Sequence, residues 1–286
     1  IGRDPLTRLI YSIPQKIIAI SNTVNNVLTE CGLRQEKITV IPDSVNTDIF
    51  HPDVKDIREE LGIHPETIVI GNTSTFAQVK GQEYLLQAFN TIARKIPCIL
   101  LFAGRLNEPH RTRYLSYVED ELRSRVIFLG HRDDIPRVLK TIDVFVYPSV
   151  LEGLGTALLE AMAMERPVVV SDIPTFRYFI SDMHNGVFFK LRDPGDMAEK
   201  VVNDAAAYVE GIAIKRNRNK EWAIKAVRES VSLSEQVALK NKVIDLIAPD
   251  LKTLISHIDG RTVETAAGNR KLEVKTAEIH FKKMSI

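Results

Sequence analysis

The sequence predicts an α/β protein built on a doubly wound parallel sheet, and three observations carry that expectation. Short apolar runs alternate with helical stretches from about residue 67 to residue 210. Runs such as VFVY (144–147) and VVV (168–170) are apolar at every position, as strands covered by helices on both faces require. The polar and glycine residues follow the runs. Asn72 to Thr75 and Lys80-Gly81 come after TIVIG, Gly104-Arg105 after CILLFA, Gly130-His131-Arg132 after VIFL, Pro148-Ser149 after DVFVY and Ser171-Asp172 after PVVV. In open parallel sheets, ligands gather beyond the carboxyl ends of the strands, so these residues share one candidate edge.

Taken in order, residues 15–42 read as strand (KIIAIS), helix (NTVNNVLTECG) and strand (KITVIP), with Asn22 as N-cap and Gly32 as stop. Residues 43–66 are turn-rich, punctuated by Pro52 and Pro65 around a short helix at DIREELG, and read as a linker. The strands TIVIG, CILLFAG, VIFLG, DVFVYP, PVVVS and GVFFK then alternate with the helices EYLLQAFNTIARK, YLSYVEDELRS, IPRVLKT, TALLEAMAM and TFRYFI, and DMAEKVVNDAAAYV follows. Residues 213–248 read as helical, and their basic cluster (Lys215, Arg216, Arg218, Lys220) as a solvated face. In 249–286, LKTLISHI suits a helix and KLEVKTAEIHF shows some alternation. The expected divisions are 1–55, 56–212, 213–248 and 249–286.

The bulk numbers exclude several classes. With 44% hydrophobic and 26% charged residues over 286 positions the composition is ordinarily globular. A formal net charge of +1 gives no bulk electrostatic case for nucleic acid or an anionic membrane. Cys31 and Cys98 have no metal-ligand spacing and fit a reducing compartment. No apolar run reaches the length of a membrane span. The chain starts with Ile and its first element reads as mid-domain, so residues are expected upstream.

The stretch PSVLEGLGTALLEAMAMERPVVVSD (148–172) carries the clearest chemistry. Gly153 and Gly155, around Leu154, let backbone pass close to a ligand. A helix starting near Thr156 would point free N–H groups and its positive end at that ligand, which favours phosphate. Glu160, one turn in, leans back toward the same end, and a carboxylate accepts a diol's two hydroxyls well. Glu152, before the turn, could accept from a second sugar, and Lys80 would add positive charge. A nucleotide diphosphate sugar offers diphosphate and diols together. His131 reads first as a loop residue, Asp133-Asp134 as a cap and charged turn, Arg105 as solvent-facing and Trp222 as packing. No metal cluster and no Ser-His-Asp or Cys-His arrangement is suggested.

The segment FLGHRDDIPRVLKTIDVFVYPSVLEGLGTALLEAMAMERPVVVSD resembles the donor half of family 4 glycosyltransferases, whose hallmark is a Glu, seven residues and a second Glu, here Glu152 and Glu160. The resemblance extends back through IIAISNTVNNVLTECGLRQEKITVIPDSVNTDIFHP and forward through NGVFFKLRDPGDMAEKV, over roughly 12–248. It implies a GT-B fold of two Rossmann-like domains with the site in their cleft. Residues 1–55 would then be the trailing part of a largely missing acceptor domain and 56–212 the donor-binding domain. Implied too are a retaining transferase, no cofactor or metal, and a UDP, GDP or ADP sugar as co-substrate. Glu160 would hold the ribose, Glu152 the donor sugar and Lys80 the diphosphate, with backbone amides at Gly153 to Gly155 completing the cradle. Leu154, Thr156, Thr75, Arg105, Gly130 and His131 join that donor set, with Lys80 and Glu152 as the expected catalytic residues. The acceptor stays open among glycan, lipid and small molecule, and the fragment alone is expected to be inactive. The expected location is the cytoplasm, in polysaccharide or cell-envelope synthesis, with peripheral membrane contact open to the missing domain. Departures from the family's pattern are Thr75 where an Arg is usual (Arg105 could substitute), Glu165 in place of a helix-ending Gly, and Tyr178 in place of a Glu. The alternatives are a related sugar phosphorylase or sugar-phosphate synthase, and a non-catalytic nucleotide-sugar module.

Overall fold

A computed structural model describes residues 9–11, 13–229, 232–265 and 268–277. Its centre is a six-stranded sheet of β3 (Ile68–Thr73), β4 (Cys98–Ala103), β5 (Val126–Phe128), β6 (Val144–Tyr147), β7 (Val168–Ser171) and β8 (Val187–Phe189). Every pairing is parallel, and the order is β5-β4-β3-β6-β7-β8. The chain winds outward one way from β3 and the other way from β6, so the topological switch lies between those two strands. Ahead of the sheet, β1 (Ile17–Ala19) pairs in parallel with β2 (Ile38–Val40) across α1 (Asn22–Glu30).

Side-chain alternation explains why these runs are strands covered on both faces. Ile68, Ile70, Leu100, Phe102, Val144 and Val146 belong to one core cluster, with Leu85, Leu86 and Phe89 of α2 (Gln82–Lys95) and Met197 and Val201 of α6 (Pro194–Lys215). The residues between them, Val69, Leu101, Phe145 and Tyr147, belong to the opposite cluster, with Leu139 of α4 (Ile135–Thr141) and Leu158 of α5 (Thr156–Ala163). A period of two on strands that bury both faces is what makes the sequence read as unbroken apolar runs.

Several boundaries differ from the sequence expectation. Ser21 rather than Asn22 is the N-cap of α1; its hydroxyl accepts from Val24 N at 3.1 Å. DIREELG forms turns, not a helix, because Ile57 is buried and the Arg58 guanidinium reaches out of the segment. It donates to the carbonyls of Thr67 (2.7 Å) and Thr141 (3.0 Å) and to Asp143 Oδ2 (2.6 Å). The helix expected at 114–124 lies earlier, as α3 (Glu108–Leu115), and Asp120–Arg125 is 3-10. TFRYFI contributes a 3-10 turn at Phe176–Tyr178. Glu165 adopts φ 56°, the left-handed conformation that a glycine takes without strain.

Helix α6 runs through residues 212–213, and α7 (Lys220–Glu229) places Val227 in the same core cluster as Val201. Then come α8 (Glu235–Lys240), α9 (Leu251–Ile258) and a hairpin of β9 (Thr262–Thr265) with β10 (Gly268–Lys271). Lys271, the first residue of the alternating stretch, ends β10, and residues 278–281 of that stretch lie outside the described residues. No helix among the described residues is long and apolar enough to cross a membrane.

One group on α6 gives the fold a pH dependence. Burial pushes the Asp204 carboxyl up to about 6, and its Oδ2 has no hydrogen-bond partner among the described residues. Folding therefore favours the protonated acid, so the group costs nothing at low pH and a growing amount as pH rises from 3.8 to about 6. Asp204→Asn is expected to raise stability by about 1–3 kcal/mol above pH 6 and to leave it unchanged near pH 4. Urea unfolding at both pH values checks this; an equal gain at the two would exclude titration as the cause.

Candidate active site

The loops that leave β3 and β6 meet over the switch point. Lys80 ends a 3-10 turn at Gln78–Lys80, and Gly81 then takes φ 65°. A Cβ on Gly81 would lie 2.2 Å from the Pro148 carbonyl oxygen, so only glycine lets the two loops approach. Val150 N also donates to Val79 O at 2.8 Å. In this way strand order brings together two side chains 72 positions apart in sequence. Lys80 Nζ donates to Glu152 Oε1 at 2.7 Å and lies 3.4 Å from Tyr147 OH.

Glu152 is buried, and Ser149 Oγ donates to its Oε1 at 2.6 Å. Burial and the Glu152 charge push the Tyr147 phenol up, which keeps it neutral. After Glu152 the chain turns at Gly155, φ 88°, where a Cβ would lie 2.7 Å from the Phe176 ring. Helix α5 then starts with no side-chain cap, so its first-turn N–H groups face the site as an anion-binding end. Glu160 stands on the first turns of α5, and desolvation alone pushes its carboxyl up. Lys80, Tyr147, Glu152, Gly155 and Glu160 border one cavity of about 370 Å³.

That cavity gathers Thr75, Lys80, Glu152, Gly153, Leu154, Gly155, Thr156 and Glu160 from the sequence-derived set. Arg105, Gly130 and His131 are not on its wall. Arg105 lines a neighbouring cavity, Gly130 accepts from Gly104 N at 2.7 Å, and His131 is an exposed loop residue 3.4 Å from the Asp133 carboxylate. The proposed exchange of Arg105 for the missing arginine therefore has no support in this arrangement: the guanidinium borders a different space.

Sequence reasoning missed the groups that hold the loop. Ser21 Oγ donates to the Gly153 carbonyl while capping α1. Thr175 Oγ1 donates to the Glu152 carbonyl at 2.8 Å and lies 3.1 Å from Thr23 Oγ1. Ser171 Oγ donates to the Ser149 carbonyl. Isolated hydroxyl residues give no local signal of such partners. Thr73, named on the candidate edge but given no role there, has a buried Oγ1 with no partner among the described residues and borders the cavity. The polar run NTST, which begins in the last two residues of β3, is the sequence signal for it. Tyr147 was read as core because it ends an apolar strand.

Comparison with known proteins supplies the context. Residues 64–204 match the family described as Glycosyl transferases group 1. The chain is 30% identical over 212 residues to the UDP-Gal:alpha-D-GlcNAc-diphosphoundecaprenol alpha-1,3-galactosyltransferase of Escherichia coli, covering 72% of this chain and 55% of that protein. The chain spans about half the length of the curated relatives it matches. Among solved structures, a glycosyltransferase from Rickettsia africae superposes with a TM-score of 0.67 at 21% identity, over 85% of this chain and 67% of that one. Anabaena HepE in complex with UDP and glucose superposes with a TM-score of 0.61 at 20% identity, over 82% and 61%.

Proposed function

Through residues 64–204 the chain belongs to the group 1 glycosyltransferases, and from that premise we propose that it carries the donor site of an enzyme transferring a sugar from a UDP-sugar to an acceptor, with retention of anomeric configuration. One observation carries the reading: a lysine, two carboxylates and an uncapped helix N-terminus converge on a single cavity at the topological switch of the sheet. The diphosphate takes the N-terminus of α5 and Lys80. Glu160 accepts the ribose diol, and Glu152, held by Ser149, accepts from the sugar. Lys80 and Glu152 neutralise each other; a diphosphate would share the lysine, and Glu152 would keep its hydroxyl donor.

UDP is favoured over GDP and ADP because the E. coli relative is named for UDP-Gal and the Anabaena structure holds UDP. That relative's acceptor is a lipid-linked diphospho-sugar, which supports the same acceptor class and a place in cell-envelope glycan synthesis, at the cytoplasmic membrane face. The cradle offers hydrogen-bond groups and one lysine, so the reading needs no resident metal. The bond-making step rests on electrostatic stabilisation of the departing diphosphate.

Calorimetric titration with UDP, GDP and ADP tests the donor assignment. UDP is expected to bind tightest, and Glu160→Ala to weaken it about tenfold or more, roughly 1.4 kcal/mol. Tighter binding of GDP or ADP would overturn the choice of base. An undiminished affinity in the variant would overturn the role of Glu160.

A further inference from the structure

Beside the donor cavity lies a second one of about 730 Å³, with Thr75 on the wall of both. Its sides come from two helices. Helix α2 contributes Glu83, Tyr84 and Gln87, and α3 with the turn after it contributes His110, Arg113, Tyr114 and Tyr117. These spacings (i, i+1, i+4 and i, i+3, i+4, i+7) place each group on one helix face. The loops after β3 and β4 close the end and bring Arg105 to the rim.

The chemistry of this wall is not that of a packing defect. Arg105 and Arg113 are exposed, and neither makes an ion pair among the described residues. Glu83 Oε2 is fully buried and has no hydrogen-bond partner among them. A buried carboxylate oxygen without a donor is costly, unless an incoming hydroxyl supplies the donor. Tyr114 is held edge-on by Phe76, with ring centroids 4.9 Å apart. Burial and the Glu83 charge push its phenol up, so it is a neutral donor. Rigid tyrosines, a carboxylate acceptor inside and guanidinium groups at the rim suit a hydroxyl-bearing ring with an anionic end. The volume lies in the range of a small-molecule pocket.

We propose that this second cavity binds a phosphorylated sugar, its phosphate on Arg105 and Arg113, its hydroxyls on Glu83, and its ring against Tyr84 and Tyr117. The site is separate from the donor cavity and stands whether or not the donor reading does. Glu83 is the one carboxylate on its wall, where the donor cavity has two, and its cations are guanidinium groups, which grip a phosphate through two parallel N–H donors.

The test is calorimetric titration of the chain with glucose 1-phosphate, glucose and inorganic phosphate. Glucose 1-phosphate is expected to bind. Arg113→Ala and Arg105→Ala should each weaken it about tenfold, the loss expected for one charge-assisted contact. Glu83→Gln should weaken it too, and Glu160→Ala should leave it within about twofold. Because Arg105 and Arg113 are exposed, their variants are expected to fold, and circular dichroism checks that. Loss in Glu160→Ala with retention in Arg113→Ala would put the probe in the donor cavity and overturn the proposal. Equal affinity for inorganic phosphate would reduce the site to an adventitious ion only. Absence of binding at millimolar glucose 1-phosphate would also overturn it.

Discussion

If the proposed donor site acts in sugar transfer, Lys80→Ala is expected to slow that transfer on the order of 10²–10³-fold, the loss seen when one preorganised group facing a developing charge is removed. The expectation is large for this chain because Lys80 is the only cationic side chain bordering the donor cavity among the described residues. Thr75 is neutral, and Arg105 borders the other cavity, so neither adds positive charge there. The N-terminus of α5 is the remaining source of positive potential. Single-turnover rates with a saturating nucleotide sugar would measure the effect apart from binding. A loss below about fivefold would show that the helix end carries the diphosphate charge without the lysine. Folding must be followed in parallel, because the variant leaves Glu152 buried with a hydroxyl but no cation beside it.

Asp143→Ala is expected to destabilise the fold by about 3–5 kcal/mol, the cost of leaving a buried partner charge uncompensated. Arg58 and Asp143 approach to 2.6 Å, with side chains only 14% and 10% exposed, so the small value of a surface pair does not apply. Asp143 Oδ2 also accepts from Val69 N at 2.8 Å, at the start of β3. The substitution thus strips one acceptor from both a guanidinium and a strand amide. Urea unfolding would measure the change. A loss under about 1 kcal/mol would mean water reaches Arg58 as soon as the carboxylate is gone. Replacing both residues by apolar side chains of similar size should recover much of the loss.

Much of the fold was readable because its signals are local. VFVY, VVV and TIVIG announce buried strands from their own composition, and EYLLQAFNTIARK shows an apolar stripe. The elements that escaped are those held from outside. EPHRTRYL in α3 is polar, and its Tyr114 is fixed by Phe76 from another loop. DIREELG has a helical composition, yet Arg58 spends its donors on Thr67, Thr141 and Asp143. The same division holds at the site. Glu152, the glycines and Glu160 lie within nine residues and could be read as a unit. That Lys80 touches Glu152 depends on β3 lying beside β6, which no local pattern encodes. Arg105 shows the limit from the other side: its place at a strand end was legible, but which of two adjoining spaces it borders depends on how its loop packs.

The hydroxyls of Ser21 and Thr23 belong to the segment before the sheet, yet Ser21 donates to the Gly153 carbonyl and Thr23 lies 3.1 Å from Thr175 Oγ1, which holds the Glu152 carbonyl. This sets a rule for making chimaeras among such proteins. A graft cut at the start of the six-stranded sheet would carry the donor loop without two of its struts. The graft keeps the interlock only if the crossover falls upstream of Ser21, so that Ser21 and Thr23 travel with Thr175 as one inherited set.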